Sequence, residues 1–395
     1  MKDDPIVIVG SARTPMGGFM GDLKALAAPE LGAIAIRAAV ERAGVKPESV
    51  QEVIMGNVLP AGQGQAPARQ AALGAGLPPA TGCMTINKVC GSGMKAAMLA
   101  HDMLTLGVND VMVAGGMESM SNAPYLLPKA RAGFRLGHGD VKDHMFLDGL
   151  EDAYDRGRLM GTYAEDCADR YRFTREAQDR YAITSLTRAQ DAIRSGGFEK
   201  EVVPVKIAGS KGETVMKNDE QPLKANPDKI PQLKPAFRKD GTVTPANSSS
   251  ISDGAAAMVL MRLSEAERRG IAALARVVGT TTHSQEPQWF TTAPVGAIRK
   301  LFEKTGWSAR STELFEINEA FAVVAMAAMH DLDLPHDKVN VHGGACALGH
   351  PLGASGARIM VTLLAALERH GMKRGIAALC IGGGEATAIA LERLD

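Results

Sequence analysis

The stretch TINKVCGSGMKAAM, Thr85 to Met98, sets a cysteine directly before a Gly-Ser-Gly turn. Thr85 to Val89 reads as a short strand and Met94 to Ala100 as a helix start, which predicts Cys90 at a strand-to-helix elbow. The first N–H groups of a helix lack intrahelical partners and carry the positive end of its dipole. Such a place lowers a thiol's pKa and favours the reactive thiolate. The same residues also fit a small buried cysteine with glycines for tight packing. The rest of the chain has to separate the two.

Strand and helix signals alternate outward from this elbow. IVIVG, Ile6 to Gly10, is an apolar run ended by glycine, and Leu31 to Ala43 has helical spacing. VIMGNV, Val53 to Val58, and DVMVAGGME, Asp110 to Glu118, read as strands. The alternation predicts a mostly parallel sheet covered on both faces. From about 120 to 250 the chain is richer in charge and proline, as in KANPDKIPQLKP from Lys224 to Pro235, with a helical stretch from Thr174 to Ser195. This is an excursion from the sheet, suited to covering a ligand. From about 251 the earlier style returns with GAAAMVL, Gly254 to Leu260, and strands near Leu314 to Ile317, Val339 to Val341 and Gly375 to Ile381.

The two ends echo each other. GSGMK, Gly91 to Lys95, resembles ASGAR, Ala354 to Arg358; VAGGME, Val113 to Glu118, resembles LCIGGGE, Leu379 to Glu385. Similar fragments in the same order suggest a duplicated α/β unit. Duplication would turn two equivalent helix starts toward one pseudo-twofold axis, and bring Cys90 to residues far along the chain.

Composition bounds the function. A chain of 395 residues exceeds what one compact core usually holds. Lysine plus arginine and aspartate plus glutamate are equal at 44, so nothing pulls the chain generally toward nucleic acid or an anionic membrane. Cys83, Cys90, Cys167, Cys346 and Cys380 are an odd, scattered set, which argues against a disulfide framework and for a reducing compartment. MKDDPIVIVG enters a strand after two acids, unlike a signal peptide, and no apolar run is long enough to span a bilayer. The expectation is a cytoplasmic protein.

Three late segments carry candidate chemistry: EINEAF, Glu316 to Phe321; HGGACALGHPLGASG, His342 to Gly356; and CIGGGE, Cys380 to Glu385. Glycines beside a thiol or imidazole let a substrate reach the backbone and leave N–H groups free for an oxyanion. His342, Cys346 and His350 would form a ligand stripe on a helix, but Gly343, Gly344, Gly349 and Pro351 argue against a continuous one, so no metal site is expected. Ser92 to Lys95 also reads as Ser-x-x-Lys, the start of a β-lactamase motif. Without partner motifs, Ser92 is better placed in the turn. Cys346 is read as a small core side chain, and Met117 and Glu118 equally as core and cap or as site residues.

NKVCGSGMK from Asn87, GGMESMS from Gly115, NEAFA from Asn318, GGACALGHP from Gly343 and CIGGG from Cys380 together resemble, in order, the signatures of the thiolase family, in its acetyl-CoA acetyltransferase branch. The resemblance covers essentially the whole chain. It implies a five-layered αβαβα sandwich of two duplicated βαβαβαββ halves, residues 1–120 plus 251–270 and residues 271–395, with an inserted loop domain at 121–250. It implies Cys90 as the acyl-accepting nucleophile and His350 as its base. Asn318 would position a water on the thioester oxygen, and Cys380 would move the α-proton of a second acetyl-CoA. The N–H groups of Cys90 and Gly382 would hold the tetrahedral oxyanion. Coenzyme A and acetyl-CoA would be substrates, with no permanently bound cofactor. Pantetheine would run past Leu150, Met160, Phe237, Ser249, Ala320 and Phe321, with Lys224 where the family often has an arginine near the adenine or phosphate. The family also implies a homotetramer, a dimer of dimers.

Two positions depart from the pattern. Leu159 stands where the branch commonly has histidine, which bears on substrate length and leaves a longer-chain 3-ketoacyl-CoA thiolase as the alternative. Cys346 stands where an aliphatic or small residue is usual. A related ketoacyl synthase would need one cysteine, against which Cys380 argues. A non-catalytic lipid carrier would have lost a reactive group, whereas Cys90, Asn318, His350 and Cys380 are all present.

Overall fold

The structure, a computed structural model, describes residues 4–209 and 212–394. The first half is built from β1 (Ile6–Arg13), α1 (Ala28–Ala43), β2 (Glu52–Gly56), α2 (Pro67–Gly74), β3 (Gly82–Ile86), α3 (Ser92–Thr105) and β4 (Val111–Ser119). The excursion includes α4 (Met160–Tyr171) and α5 (Arg175–Arg194). β5 (Ser252–Arg262) returns to the sheet; β6 (Ala275–Ser284), α6 (Ala293–Thr305), β7 (Leu314–Ile317), α7 (Ala322–Leu332), α8 (Leu352–Arg369), β8 (Arg374–Ile381) and β9 (Glu385–Arg393) follow.

The duplication is written in the strand order. One sheet path runs β3-β2-β4-β5-β1-β6-β9-β8-β7. From the centre outward, the first half reads β1-β5-β4-β2-β3 and the second β6-β9-β8-β7, and in both the last strand of the half lies beside its first. The missing fifth member is Val339, which makes a single parallel bridge to Phe315 on β7. The predicted strand at Val339 to Val341 is therefore only a bridge. Asn340 ends it: its φ is +49°, and its amide side chain accepts from Ile317 N–H and donates to Ile317 C=O, both at 2.8 Å.

The predicted mostly parallel sheet is mixed. β2 is parallel to β3 and β4, and β7 to β8; the other neighbours on the path are antiparallel. The reason is connectivity. β9 follows β8 through the turn Gly382–Gly384, and so short a link can only reverse direction.

Alternating side chains separate the layers. Val7, Val9, Val53, Val111 and Val113 pack with α1 and α2 on one outer face. Ile6, Ile8, Ile54 and Met112 face inward onto α3 and α8, and from the other half Leu314, Ala377, Leu379, Ile389 and Leu391 do the same. Phe315, Ile317, Ile376, Ala378, Ala388 and Ala390 pack on α6 and α7 at the opposite outer face. A period-2 pattern over two half-sheets thus gives helix, sheet, helix pair, sheet, helix. The halves meet edge to edge where Val7 pairs Arg276 and Ile8 pairs Ala275.

Small residues make the central layer possible. A Cβ on Gly93 would lie 2.8 Å from Ala357 N and 2.9 Å from Gly353 O; one on Gly356 would lie 2.4 Å from Met94 N. The two echoed helix starts do meet, and glycine lets their backbones touch. The excursion is fastened to this core by charge. Arg13, fully buried, donates to Glu201 at 2.6 Å and to Asp219 at 2.7 and 2.9 Å. Removing one partner of such a buried group would cost about 3–5 kcal/mol.

Candidate active site

Cys90 lies between β3 and α3, as the elbow reading predicts, but the strand ends at Ile86 and Val89 is left-handed, with φ +45°. That is a strained state for a β-branched residue and needs outside support. Support comes from two side chains. Asn87 Oδ1 accepts from Val89 N–H at 2.8 Å. Ser92 Oγ accepts from Lys88 N–H at 2.8 Å and donates to Val89 C=O at 2.7 Å. Ser92 is thus a strut of the turn.

The thiol is not resting as a thiolate. Cys90 is buried, and burial pushes its pKa up to about 11 against the backbone N–H groups of Gly382 and of Cys90 itself, which favour the anion. The expectation of a lowered pKa is corrected here. The helix-start amides are present, but loss of water around sulfur outweighs them. A neutral buried thiol needs a base to become a nucleophile.

An imidazole is at hand. His350 is buried and pushed down to about 3, by burial first and then by the charge of Arg358, so its ring is neutral. Its Nδ1 meets Ser355 Oγ at 2.5 Å, while its Nε2 has no partner. Asn318, at the end of β7, is also buried with both amide atoms unpartnered. Buried polar atoms are normally satisfied, so the orphan nitrogen of His350 and the two orphan amide atoms of Asn318 each mark a position open to a further partner.

Cys380, near the end of β8, is 1% exposed. Its thiol is pushed well above the ordinary range by burial first and then by its coupling to the titrating thiol of Cys90, which makes the two sulfurs electrostatic neighbours. After it the chain turns through Gly382, Gly383 and Gly384. The last two have φ of +92° and +88°, and a Cβ on Gly384 would lie 2.3 Å from Gln285 O. On Gly91 a Cβ would lie 2.4 Å from Ile381 Cδ1, so the residues next to the two cysteines pack against one another.

A cavity of about 370 Å³ gathers most of the predicted residues: Cys90, His350, Gly382, Leu150, Met160, Phe237, Ser249, Ala320 and Phe321 all line it. Asn318 and Cys380 are not among its lining residues. Lys224 is not brought to the cavity; it is paired with Glu220. Sequence reasoning missed Phe146, Phe290 and Leu352 on the wall, and Leu159, noted as a departure, lies there too. Phe290 stands edge-on to Phe321, which stands edge-on to Phe237. No periodicity marks Phe290, because it comes from the short, kinked 3₁₀ segment Pro287–Thr292. Ser249 donates to Ala320 C=O at 3.0 Å. A larger cavity of about 860 Å³, lined by Val9, Arg42, Leu263 and Leu394 among others, holds no thiol or imidazole.

The remaining candidates disperse. His342 Nε2 meets His370 Nε2 at 3.3 Å, Cys346 Sγ meets Glu319 C=O at 3.8 Å, and His350 turns to Ser355. Between them lie Gly344 and a single helical turn, Ala345–Leu348. Among the described residues no group of three or more metal-binding side chains forms. Glu118 is buried, with its pKa pushed up to about 7 by burial, and accepts from Asn57 Nδ2 and from the N–H groups of Val58, Leu59 and Gly353. It ties β4 to the start of α8.

Such an arrangement can carry covalent acyl chemistry: a buried thiol, an unpartnered imidazole nitrogen, backbone N–H groups at the sulfur and a second thiol nearby. Comparison with known proteins agrees. Residues 6–264 match the model of the thiolase N-terminal domain and residues 271–393 that of the thiolase C-terminal domain. Acetyl-CoA acetyltransferase 2 of Arabidopsis thaliana is 52% identical over 393 residues, covering 98% of this chain and 97% of the relative. The crystal structure of the Bacillus anthracis acetyl-CoA acetyltransferase superposes with a TM-score of 0.96 at 43% identity, covering 99% of each chain. The Acat5 thiolase of Ascaris suum, solved in complex with coenzyme A, gives 0.93 at 42% identity, over 99% of this chain and 100% of that one.

Proposed function

The chain belongs to the thiolase family, and from that premise we propose that it is an acetyl-CoA C-acetyltransferase, joining two acetyl-CoA into acetoacetyl-CoA and CoA, and running the reverse thiolysis. The observation that carries the proposal is the neutral, buried thiol of Cys90 sharing one cavity with the unpartnered Nε2 of His350 and the N–H of Gly382.

In this mechanism His350 Nε2 takes the proton of Cys90, and the thiolate attacks the first thioester. Coenzyme A leaves with the proton of Cys380, so acetyl-Cys90 remains beside a His350 that keeps the Cys90 proton on Nε2 and a Cys380 thiolate. His350 Nε2–H and a water held by Asn318 donate to the thioester oxygen of the second acetyl-CoA, stabilising its enolate while Cys380 removes the α-proton. The carbanion attacks acetyl-Cys90, and the N–H groups of Cys90 and Gly382 hold the oxyanion until Cys90 departs. Two thiols are needed because one is occupied as a thioester when the other must move a proton.

Residues 121–250 form the cover of the coenzyme A site, with residues 1–120 plus 251–270 and residues 271–395 as the two halves. Leu150, Met160, Phe237, Ser249, Ala320 and Phe321 contact pantetheine. CoA thioesters are substrates, and the protein carries no resident cofactor. A homotetramer belongs to the same proposal and is supported by apolar side chains open to solvent on one segment: Tyr125, Leu127, Phe134, Leu136 and Val141. A cytoplasmic location is supported by five unbridged cysteines.

The test mixes purified protein with acetoacetyl-CoA and CoA and follows loss of the enolate absorbance. A longer-chain 3-ketoacyl-CoA is run beside it. Turnover of acetoacetyl-CoA at least as efficient as that of the longer substrate is expected. The opposite ranking would transfer the chain to the longer-chain thiolases, and no turnover of either would remove the activity.

A further inference from the structure

We propose that Ser355 is a positioning residue that fixes the tautomer of His350, keeping the proton on Nδ1 and leaving Nε2 bare toward Cys90. The inference rests on the reading of His350 as the base for Cys90.

The argument is a count of protons. Ser355 sits in the first turn of α8, fully buried. Its hydroxyl has two partners, Pro351 C=O at 2.9 Å and His350 Nδ1 at 2.5 Å. A carbonyl can only accept, so both contacts are hydrogen bonds at once only if the single hydroxyl proton goes to Pro351. The lone pair of Oγ then faces Nδ1, and the contact is a hydrogen bond only if Nδ1 carries hydrogen. A neutral imidazole has one N–H, so Nε2 must be bare. That nitrogen is buried, has no protein partner and belongs to the residue lining the cavity with Cys90. A second proton on the ring is disfavoured by burial and by Arg358 on the same helix.

The duplication gives the serine its logic. Ser92 in GSGMK and Ser355 in ASGAR occupy the same place in the echoed turns. In the first half the hydroxyl holds the backbone ahead of the nucleophile. In the second it holds the ring of the base. In the reaction the Cys90 S–H bond breaks as Nε2–H forms, giving an imidazolium whose Nδ1–H stays bonded to Ser355. The proton stays on Nε2 while Cys90 carries the acetyl group and returns to the sulfur when Cys90 departs, which restores the starting tautomer.

The experiment uses full-length protein labelled with ¹⁵N-histidine; the chain has nine histidines, and His350→Asn identifies the signal. The wild-type ring is expected to show a protonated Nδ1 and an unprotonated Nε2. Ser355→Ala should mix or invert that pattern and slow both iodoacetamide alkylation of Cys90 and acetylation from acetyl-CoA by roughly 10²-fold, with KM little changed. Ser355→Thr, which keeps the hydroxyl, should recover most of the rate. A wild-type ring protonated on Nε2, meaning a hydroxyl turned to Nδ1 instead of Pro351, overturns the proposal; so does an unchanged ring in Ser355→Ala. If Ser355→Ala does not fold, the wild-type spectrum alone decides. Failure of the wild type to cleave acetoacetyl-CoA would sink the activity and leave the tautomer result standing, so the two failures are distinguishable.

Discussion

Lys88 Nζ and Glu385 Oε2 meet at 2.5 Å, although 297 residues separate them. Lys88 comes two residues before Cys90 and Glu385 three after Gly382, so the pair ties together the backbones that supply both proposed oxyanion donors. Ser284 Oγ also donates to Glu385, at 3.1 Å. Both side chains are partly exposed, and such a pair adds only about 0.2–1 kcal/mol to stability. Its effect on rate should be larger, because a displacement of ~1 Å between oxyanion donors weakens catalysis steeply. Lys88→Met and Glu385→Gln are each expected to lower kcat several-fold with Tm and KM nearly unchanged, and the double variant to be no worse than either single one. Additive losses would show that the two residues act separately.

The two thiols should be separable. Cys90→Ala should abolish the acetyl-enzyme formed from labelled acetyl-CoA, and a labelled adduct surviving on that variant would contradict the nucleophile assignment. Cys380→Ser should still become acetylated on Cys90 but lose about 10²–10⁴-fold in condensation, the usual contribution of a positioned proton-transfer group. Mass spectrometry of the intact protein reads the first step, and acetoacetyl-CoA formation the second. Near-normal condensation by Cys380→Ser would remove it from its role.

Much of this was legible in the sequence because it is local. The elbow at Cys90, the glycine turn after Cys380 and the echo of GSGMK with ASGAR all concern short stretches whose residue types constrain the backbone. What stayed hidden depends on tertiary packing. Burial, which raises the Cys90 thiol to about 11, reverses a tendency that the helix start alone would set. The antiparallel return of β9 follows from a turn too short for a crossover. Phe290 reaches the cavity wall from a short, kinked 3₁₀ segment, and Ser355 gains its meaning only once His350 and Pro351 are folded around it. The sequence reads Cys346 as a small core side chain. It sits against Glu319, whose carboxylate accepts from Cys346 N–H at 3.0 Å. Cys346→Ala should leave kcat within about twofold of wild type, since that bond is made by the backbone; a large loss measured in the thiolysis assay would give the thiol a role of its own.

The glycine contact between α3 and α8 should tolerate no side chain. In Gly356→Ala the new methyl would meet Met94 N at 2.4 Å, a backbone atom of the central layer that cannot swing aside. Overpacking of this kind typically costs about 1–3 kcal/mol. Because α8 also carries Ser355, acetylation of Cys90 should fall with it. Urea unfolding and the acetylation rate together check this. A variant as stable as wild type would mean that the two helices can part without cost.

The pH dependence of Cys90 acetylation tests the neutral imidazole. The folded ring of His350 is depressed to about 3, while a free histidine titrates near 6.5. Between those values the unfolded chain binds a proton that the folded protein refuses. The contribution of this residue to stability is therefore fully present above 6.5 and declines as the pH falls toward 3. Glu118 runs the other way. Burial raises it from 4.5 to about 7, so its contribution is present below 4.5 and is lost as the pH rises through 7. Acid stability mixes the two signs, but acetylation does not, because only His350 accepts the thiol proton. Its base form persists well below 6.5, so the acetylation rate should show no falling limb centred there while circular dichroism reports a folded protein. A limb at that position that disappears in His350→Asn would mean the ring is solvated and titrates freely, and the closed, water-poor setting assigned to the base would be lost with it.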